Sequence, residues 1–204
     1  MNNNESAEQR ILSATIECIN VDGINGVTVR RIAERADVNV AAINYYFRSK
    51  DRLIEAAMEQ AAHIAFDEGM EVIRDRNRSI RARFRDVLRE MVLSVSRNPG
   101  VTRAHLYGPL VEGQQETQAT SRIGSFIELM SAETVVALPS VSSVVVRAAL
   151  VEMYATATFV PLATGMFSTI LPFDLQDETG RNAFVDHLLG TFFRTLGDKS
   201  IPTN

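Results

Sequence analysis

Residues 28–50 read TVRRIAERADVNVAAINYYFRSK, and this stretch decides the fold. It holds two short helical patterns with a break between them. Thr28 suits an N-cap, because its hydroxyl can accept from an orphan N–H of the first turn. Val29, Ile32, Ala33 and Ala36 follow at i, i+3, i+4 and i+7, one apolar stripe of a helix. Arg30, Arg31, Glu34 and Arg35 fall off that stripe. Asp37 interrupts the pattern, since its short side chain competes for backbone hydrogen bonds. Val38 can pack inward and Asn39 can cap a second helix. Ile43 and Phe47, four apart, give that helix its buried side. Ser49 is placed to cap a third helix whose apolar face begins at Leu53 and Ile54.

The outward side of the second helix has an unusual composition. Ala41 and Ala42 are small enough to let its backbone approach a surface. Asn44 can make paired hydrogen bonds to a base edge, adenine best of all. Tyr45 and Tyr46 offer hydroxyls for phosphate and flat faces for sugar or thymine methyl groups. Arg30, Arg31, Arg35, Arg48, Lys50 and Arg52 against Glu34, Asp37 and Asp51 leave residues 28–52 at +3, on a chain of net charge −4. A local positive site on an acidic chain suits a polyanion bound at one place, not along the whole protein.

Residues 10–55 resemble the N-terminal domain of the TetR family of bacterial transcription regulators. The matching residues are Ile11, Leu12, Ala14, Gly23, Gly26, Thr28, Ile32, Ala33, Ala36, Val38, Ile43, Tyr45, Phe47, Ser49, Lys50 and Leu53, in continuous spacing. The run AAINYYFRSKDRLIEA, residues 41–56, is the most specific part. The resemblance implies an all-α fold: a three-helix helix-turn-helix DNA-binding domain followed by a larger helical ligand-binding and dimerisation domain. It implies that Thr28 holds a DNA phosphate and that Arg30 reaches a base edge or phosphate. Val40, Ala41, Ala42, Asn44 and Tyr45 would face the major groove, and Tyr46 and Lys50 would grip the backbone. Two positions depart from the family pattern. Asp37 stands where glycine is common, and Asp tolerates a left-handed backbone. Asn44 stands where tyrosine is frequent, which leaves the preferred base open.

Length and composition agree with this division. The 204 residues suit one or two domains, and a 46% hydrophobic content can build a sizeable core. We expect a DNA-binding domain over residues 1–52, with the helix-turn-helix at about 28–47, and a ligand-binding and dimerisation domain over 53–204. The single cysteine, Cys18, precludes an internal disulfide and falls on the apolar side of the first helix. The polar start MNNNESAEQR has no signal-peptide core, so a cytoplasmic location is expected.

The remaining pattern is helical. A first helix is expected from about Glu5 to Asp22, ended by Gly23 in a left-handed conformation. Glu17 on it reads as solvated. From Lys50 a long helix carries Leu53, Ala57, Ala61, Ile64, Ala65 and Ile73 inward and ends near Arg76. This helix is the candidate lever between the domains. Ser79 caps the next, with Ile80, Phe84, Val87, Leu88, Met91 and Val95 on its buried side. A short helix from Thr102 to about Tyr107 should end at Gly108-Pro109, followed by a loop or helix start over 112–118. Ile123 to about Leu138 gives another helix, and Ser140 should open the one after it. No charge occurs from Met153 to Phe173, but the threonines, Gly165 and Pro161 make this a poor membrane span; a helix in a subunit interface is the better reading. The last helix, about Glu178 to Leu196, has a wide apolar face that suggests two-fold pairing with a second copy.

The chemistry of an enzyme is missing from the sequence. It has no phosphate-cradling glycine loop, paired-cysteine metal motif or nucleophile elbow, so no catalytic residue, cofactor or metal is expected. Glu59, His63 and Asp67 share one helix face and could ligate a metal, but the ordinary reading is a solvated face. Phe66, Met70, Phe84, Leu88, Met91, Leu106, Tyr107, Phe126, Met130, Met153 and Tyr154 could line a pocket for a mostly apolar ligand, with His105 among its polar groups. The same residues would also simply fill a core. The expected protein is a homodimeric regulator that binds a pseudo-palindromic operator in double-stranded DNA. We read it as a repressor released by a small ligand. A constitutive or architectural DNA-binding protein of the same fold is the alternative.

Overall fold

A computed structural model describes residues 6–197, except the side chains of residues 64 and 65. The expected helix start at Glu5 and the inward roles of Ile64 and Ala65 lie outside the described residues. The order is α1 (Ala7–Gly26), α2 (Val29–Ala36), α3 (Val40–Phe47), α4 (Lys50–Arg74), α5 (Ile80–Arg97), α6 (Pro99–Val111), α7 (Gln118–Ala137), α8 (Ser143–Leu162), α9 (Thr164–Phe167) and α10 (Glu178–Thr195), with no strand among the described residues. The chain is all-α, as expected. It divides into two compact units, residues 1–64 with 98–119 and residues 65–97 with 120–204.

The first unit is built on α1. Ser6 caps this helix by accepting from the Gln9 N–H at 3.1 Å. Gly23 interrupts it at φ 71°, ψ 163°. That backbone needs a residue without Cβ, and the helical run then resumes as far as Gly26 instead of ending at Asp22. Ile11, Ala14, Cys18 and Ile19 of α1 form one core with Val27, Ile32, Ala33, Ala36, Ile43, Phe47, Leu53 and Val101. Val101 belongs to α6, which is longer than Thr102 to Tyr107. Pro99 starts it at a position where the missing N–H costs nothing. Pro109 lies inside its last turn, where it removes one hydrogen bond without stopping the helix.

Close packing holds α6 against α1. The Gly100 N–H donates to Asn20 Oδ1 at 2.8 Å. A Cβ on Gly100 would stand 2.2 Å from the Asn20 carbonyl oxygen, so only glycine fits this approach. Further along α6, His105 places Nδ1 3.1 Å from the Val101 carbonyl and Nε2 3.2 Å from the Met58 carbonyl of α4.

In the second unit, Ile73, Phe84, Leu88, Val92, Val146, Leu150, Phe184, Val185, Leu189 and Phe193 lie at the centre of the core. Ser79 caps α5, accepting from the Ala82 N–H at 3.2 Å. Ser142, not Ser140, caps α8, accepting from the Val144 N–H at 3.3 Å. Pro161 stands within the last turn of α8, which ends at Leu162. Asp177 caps α10 by accepting from the Gly180 N–H at 2.8 Å.

The sequence argument for a partner on α10 does not hold. Phe184, Val185, Leu188, Leu189, Phe192, Phe193 and Leu196 are all buried within the chain itself. Its phenylalanines pack on α5, with the Phe84 ring 5.8 Å from Phe192 and 6.4 Å from Phe193. The wide apolar face is consumed by neighbours on two sides, α5 and α8. The unpartnered apolar surface lies instead on α8. Val144, Ala148, Val151, Ala155 and Phe159, spaced by four, three, four and four, are exposed, with Val144 at 69%, Val151 at 53% and Phe159 at 52%. Val146, Ala149, Leu150, Met153 and Ala157 fill the opposite face of the same helix. By length and mean hydropathy (1.4) α8 would suffice to cross a membrane, although Arg147 and Glu152 stand on its exposed side.

One ion cluster is buried in this second core. Glu133 of α7 accepts from Arg83 Nη1 at 2.8 Å and from Arg76 through Nη2 at 2.7 Å and Nε at 3.1 Å. Arg83 also donates to the Ile73 carbonyl near the C-terminus of α4. The Arg83 and Glu133 side chains are only 5% and 7% exposed. Hydrogen bonding from Arg76, joined by Arg83, holds the Glu133 carboxyl down at about 2 against the opposing effect of its burial.

Candidate nucleic-acid interface

The interface is assembled by caps. Thr28 Oγ1 accepts from the Arg31 N–H at 3.3 Å and starts α2. Asp37 closes α2 in the left-handed conformation, φ 52°, ψ 54°, as expected of a short polar residue. The Val38 N–H returns to the Ala33 carbonyl at 3.0 Å. Asn39 Oδ1 accepts from the Ala42 N–H at 2.7 Å and starts α3. Arg48 then ends α3 at φ 64°, and Ser49 caps α4 by accepting from the Arg52 N–H at 3.2 Å. Each turn between α2, α3 and α4 is therefore fixed by a local hydrogen bond, which gives the three helices a definite register.

Ile43 and Phe47 anchor α3 in the core. Val40, Ala41, Asn44, Tyr45 and Arg48 project on the opposite side at i, i+1, i+4, i+5 and i+8, with Tyr45 80% exposed. Ala42 is half-buried beside them. The Tyr46 ring stands edge-on to Tyr45 at 5.2 Å, which stiffens both. All nine residues predicted to meet DNA belong to the first unit. Of these, Thr28 and Arg30 lie at the start of α2, and Lys50 opens α4.

The arginines of α2 divide into two groups, a distinction the sequence does not show. Arg31 pairs with Asp22 of α1 at 3.0 Å, and Arg35 pairs with Glu17 of α1 at 2.5 Å. Glu17 is thus engaged, although exposed. Hydrogen bonding and attraction from Glu17 raise the Arg35 pKa further. Arg30, Arg48, Lys50 and Arg52 make no ion pair among the described residues. A shallow cleft lined by Thr28, Arg30, Arg31, Glu34 and Arg35 opens along α2. The ion pairs span eighteen and nine residues between different helices, so no local pattern reveals them. Cys18 is buried in the same α1–α2 contact, where desolvation raises its thiol pKa.

The candidate ligand residues fall differently. Phe84, Leu88, Phe126, Met130 and Met153 are buried in the core of the second unit. Phe66, Met70, Met91 and Tyr154 pack against that core, and the Phe66 and Phe126 rings meet edge-to-face at 6.0 Å. Burial pushes the Tyr154 phenol up to about 12. Leu106 and Tyr107, half-buried on α6, belong to the first unit instead. Glu59, His63 and Asp67 do not converge: Gln118 donates to Glu59, Arg122 reaches Asp67 at 3.5 Å, and no group of three such side chains among the described residues is placed to hold a metal.

Residues 11–57 match the family model described as bacterial regulatory proteins of the tetR family. The HTH-type transcriptional regulator BetI 1 of Chromohalobacter salexigens is 39% identical over 72 residues, 35% of this chain and 34% of that protein. The probable HTH-type transcriptional regulator YttP of Bacillus subtilis is 44% identical over 50 residues, 24% of each chain. The chain thus spans about a third or less of the length of these curated relatives. Solved structures extend the likeness of fold to more than nine-tenths of the chain, at 95% and 91% in the two that follow. A TetR-like regulator from Rhodococcus covers 95% of this chain and 97% of its own at a TM-score of 0.64 and 19% identity. The FadR regulator of Bacillus subtilis, solved in complex with stearoyl-CoA, covers 91% of this chain and 96% of its own at 0.61 and 14%.

Proposed function

The chain belongs, through residues 11–57, to the TetR family of bacterial regulatory proteins, and from that premise we propose that it is a homodimeric transcription repressor in the cytoplasm, working from a pseudo-palindromic operator. The carrying observation is the outward stripe of α3, capped at both ends and flanked by unpaired Arg30, Arg48, Lys50 and Arg52. Residues 1–52 serve DNA binding and residues 53–204 serve dimerisation and regulation. Each protomer sets Val40, Ala41, Ala42, Asn44 and Tyr45 into a major groove, with half-sites about one helical turn apart or more. Thr28, Arg30, Tyr46 and Lys50 hold phosphate or sugar, so affinity falls steeply with salt. The exposed stripe of α8 is the surface that a second copy covers, since a soluble protein rarely leaves so continuous an apolar row bare.

A small, mostly apolar ligand in the second unit would release the operator. Met70, Met91, Met130 and Met153 support this reading, because thioether side chains repack around varied shapes. A structural neighbour in complex with an acyl-CoA supports it as well. To change occupancy decisively, the ligand must prefer one state by about 5 kcal/mol. The alternative, a constitutive DNA-binding protein, is favoured by one observation: nine of the candidate pocket residues already pack in or against the core.

The test is fluorescence anisotropy with duplex DNA from beside the gene, at two salt concentrations, with the wild type and Tyr45→Ala. Tight, salt-sensitive binding lost in the variant is expected. Binding unaffected by Tyr45→Ala would remove α3 from the interface. Thermal shift with fatty acids and acyl-CoAs then separates the two regulatory readings: a raised Tm and DNA release support induction, and no response to any of them supports the constitutive form.

A further inference from the structure

No residue of α3 itself carries a charge. Residues 40–47 read VAAINYYF, and the first charged residue after them is Arg48, at the C-terminal end of the helix. This limits what the helix can read. Guanine is recognised in the major groove by Arg or Lys donating to O6 and N7, and cytosine by a carboxylate accepting from N4. Neither side chain exists on α3. Two of the nearby guanidiniums, Arg31 and Arg35, are held by Asp22 and Glu17 on α1. Adenine does have its partner, because Asn44 is exposed and its amide matches N6 and N7. Thymine has partners too, since its C5 methyl seeks apolar contact and Val40, Ala41, Ala42 and the Tyr45 ring supply it.

The N-terminal part of a recognition helix is the part that reaches base edges. Here that part is Val40, Ala41 and Asn44, while Arg48 stands just past the C-terminal end of the helix. We infer that the centre of each operator half-site is a run of A·T pairs, read by Asn44 on one adenine and by the apolar residues on adjacent thymine methyl groups. Guanine is left to the flank that Arg30 can reach from the start of α2. This inference rests on the DNA-binding reading and specifies its ligand.

The test starts with selection of duplexes from a random pool by the full-length protein. The expected product is an inverted repeat whose half-site centres are A·T. In that site, deoxyuridine replaces each central thymidine in turn, which removes only the methyl group. About a three- to fourfold loss of affinity is expected for each contacted methyl. 7-Deazaadenine replaces each central adenine, removing N7. One such replacement should weaken the wild type by up to about tenfold, since it removes one of the two hydrogen bonds of a bidentate contact, and leave Asn44→Ala unaffected. Half-site centres rich in G·C, or deoxyuridine without effect at every position, overturn the inference while leaving DNA binding intact. Failure to enrich any duplex overturns both.

Discussion

The two compact units differ in where one of their ion pairs lies. In the first, arginines stand at the surface around a charge-free helix, Arg35–Glu17 is an exposed tie between helices, and Arg31–Asp22 is a half-buried one. In the second, an arginine and a glutamate are sealed into the core. Exposed pairs contribute about 0–1 kcal/mol each. A buried pair is different: breaking it leaves an uncompensated charge, at a cost of about 3–5 kcal/mol. The second unit also carries exposed pairs, Arg74–Glu71, Arg78–Asp86 and Arg147–Glu128, so the contrast lies in the buried Arg83–Glu133 pair. Arg83 joins α5, α7 and the end of α4 through Glu133 and the Ile73 carbonyl, so this cluster stiffens the end of α4 that lies in the second unit.

The sharpest way to break the contrast is Glu133→Ala. It strands Arg83, whose Nε already has no partner among the described residues, and should cost about 3–5 kcal/mol in a urea titration. Glu17→Gln, which breaks an exposed pair, should cost less than about 1 kcal/mol. Equal losses would show that burial does not set the difference. Acid should select the same cluster. The Glu133 carboxyl lies at about 2 in the folded state, below its ordinary 4.5. Its stabilisation is therefore complete above about pH 4.5 and is lost as pH falls toward 2. Stability followed between pH 6 and 3 should decline less in Glu133→Ala than in the wild type.

The next effect concerns packing in the first unit. Gly100→Ala drives a Cβ into the Asn20 backbone and should cost about 1–3 kcal/mol. Gly124→Ala on α7, where a Cβ meets nothing within 4 Å, should stabilise by a few tenths to about 1 kcal/mol. A similar response at both positions would mean that α6 does not dock as closely on α1 as the geometry requires.

How far the sequence showed these features depends on the range of the interaction. The caps Thr28, Asn39, Ser49 and Ser79, the turn at Asp37 and the outward set on α3 were legible because each is settled within about four residues. The cap of α8 falls two residues later than expected, at Ser142, in a segment that offers Ser140, Ser142 and Ser143 within four residues. Partners distant in sequence were not legible. Nothing local links Arg35 to Glu17, Gly100 to Asn20, or Arg83 to Glu133. The same limit bears on α10 and α8. Both carry apolar residues on more than one side, and pattern alone does not say which of those sides the chain covers itself. Burial assigns α10 to the interior and leaves Val144, Val151 and Phe159 of α8 outside.

The smallest expected effect tests the turn that sets α3 against α2. Asp37 sits at φ 52°, where a side chain costs about 1 kcal/mol, less for Asp than for most residues. Asp37→Gly removes that cost but loosens the unfolded chain by a comparable amount. The two should nearly cancel, leaving stability within about 0.5 kcal/mol of the wild type. Asp37→Val has no such compensation, because a β-branched residue resists a positive φ, and should lose about 1–2 kcal/mol. DNA affinity separates the turn's geometry from its stability. If the left-handed backbone alone aligns α3, Asp37→Gly binds the operator as the wild type does under conditions where both are fully folded. A loss of affinity at unchanged stability would show that the carboxylate contributes to the interface in its own right.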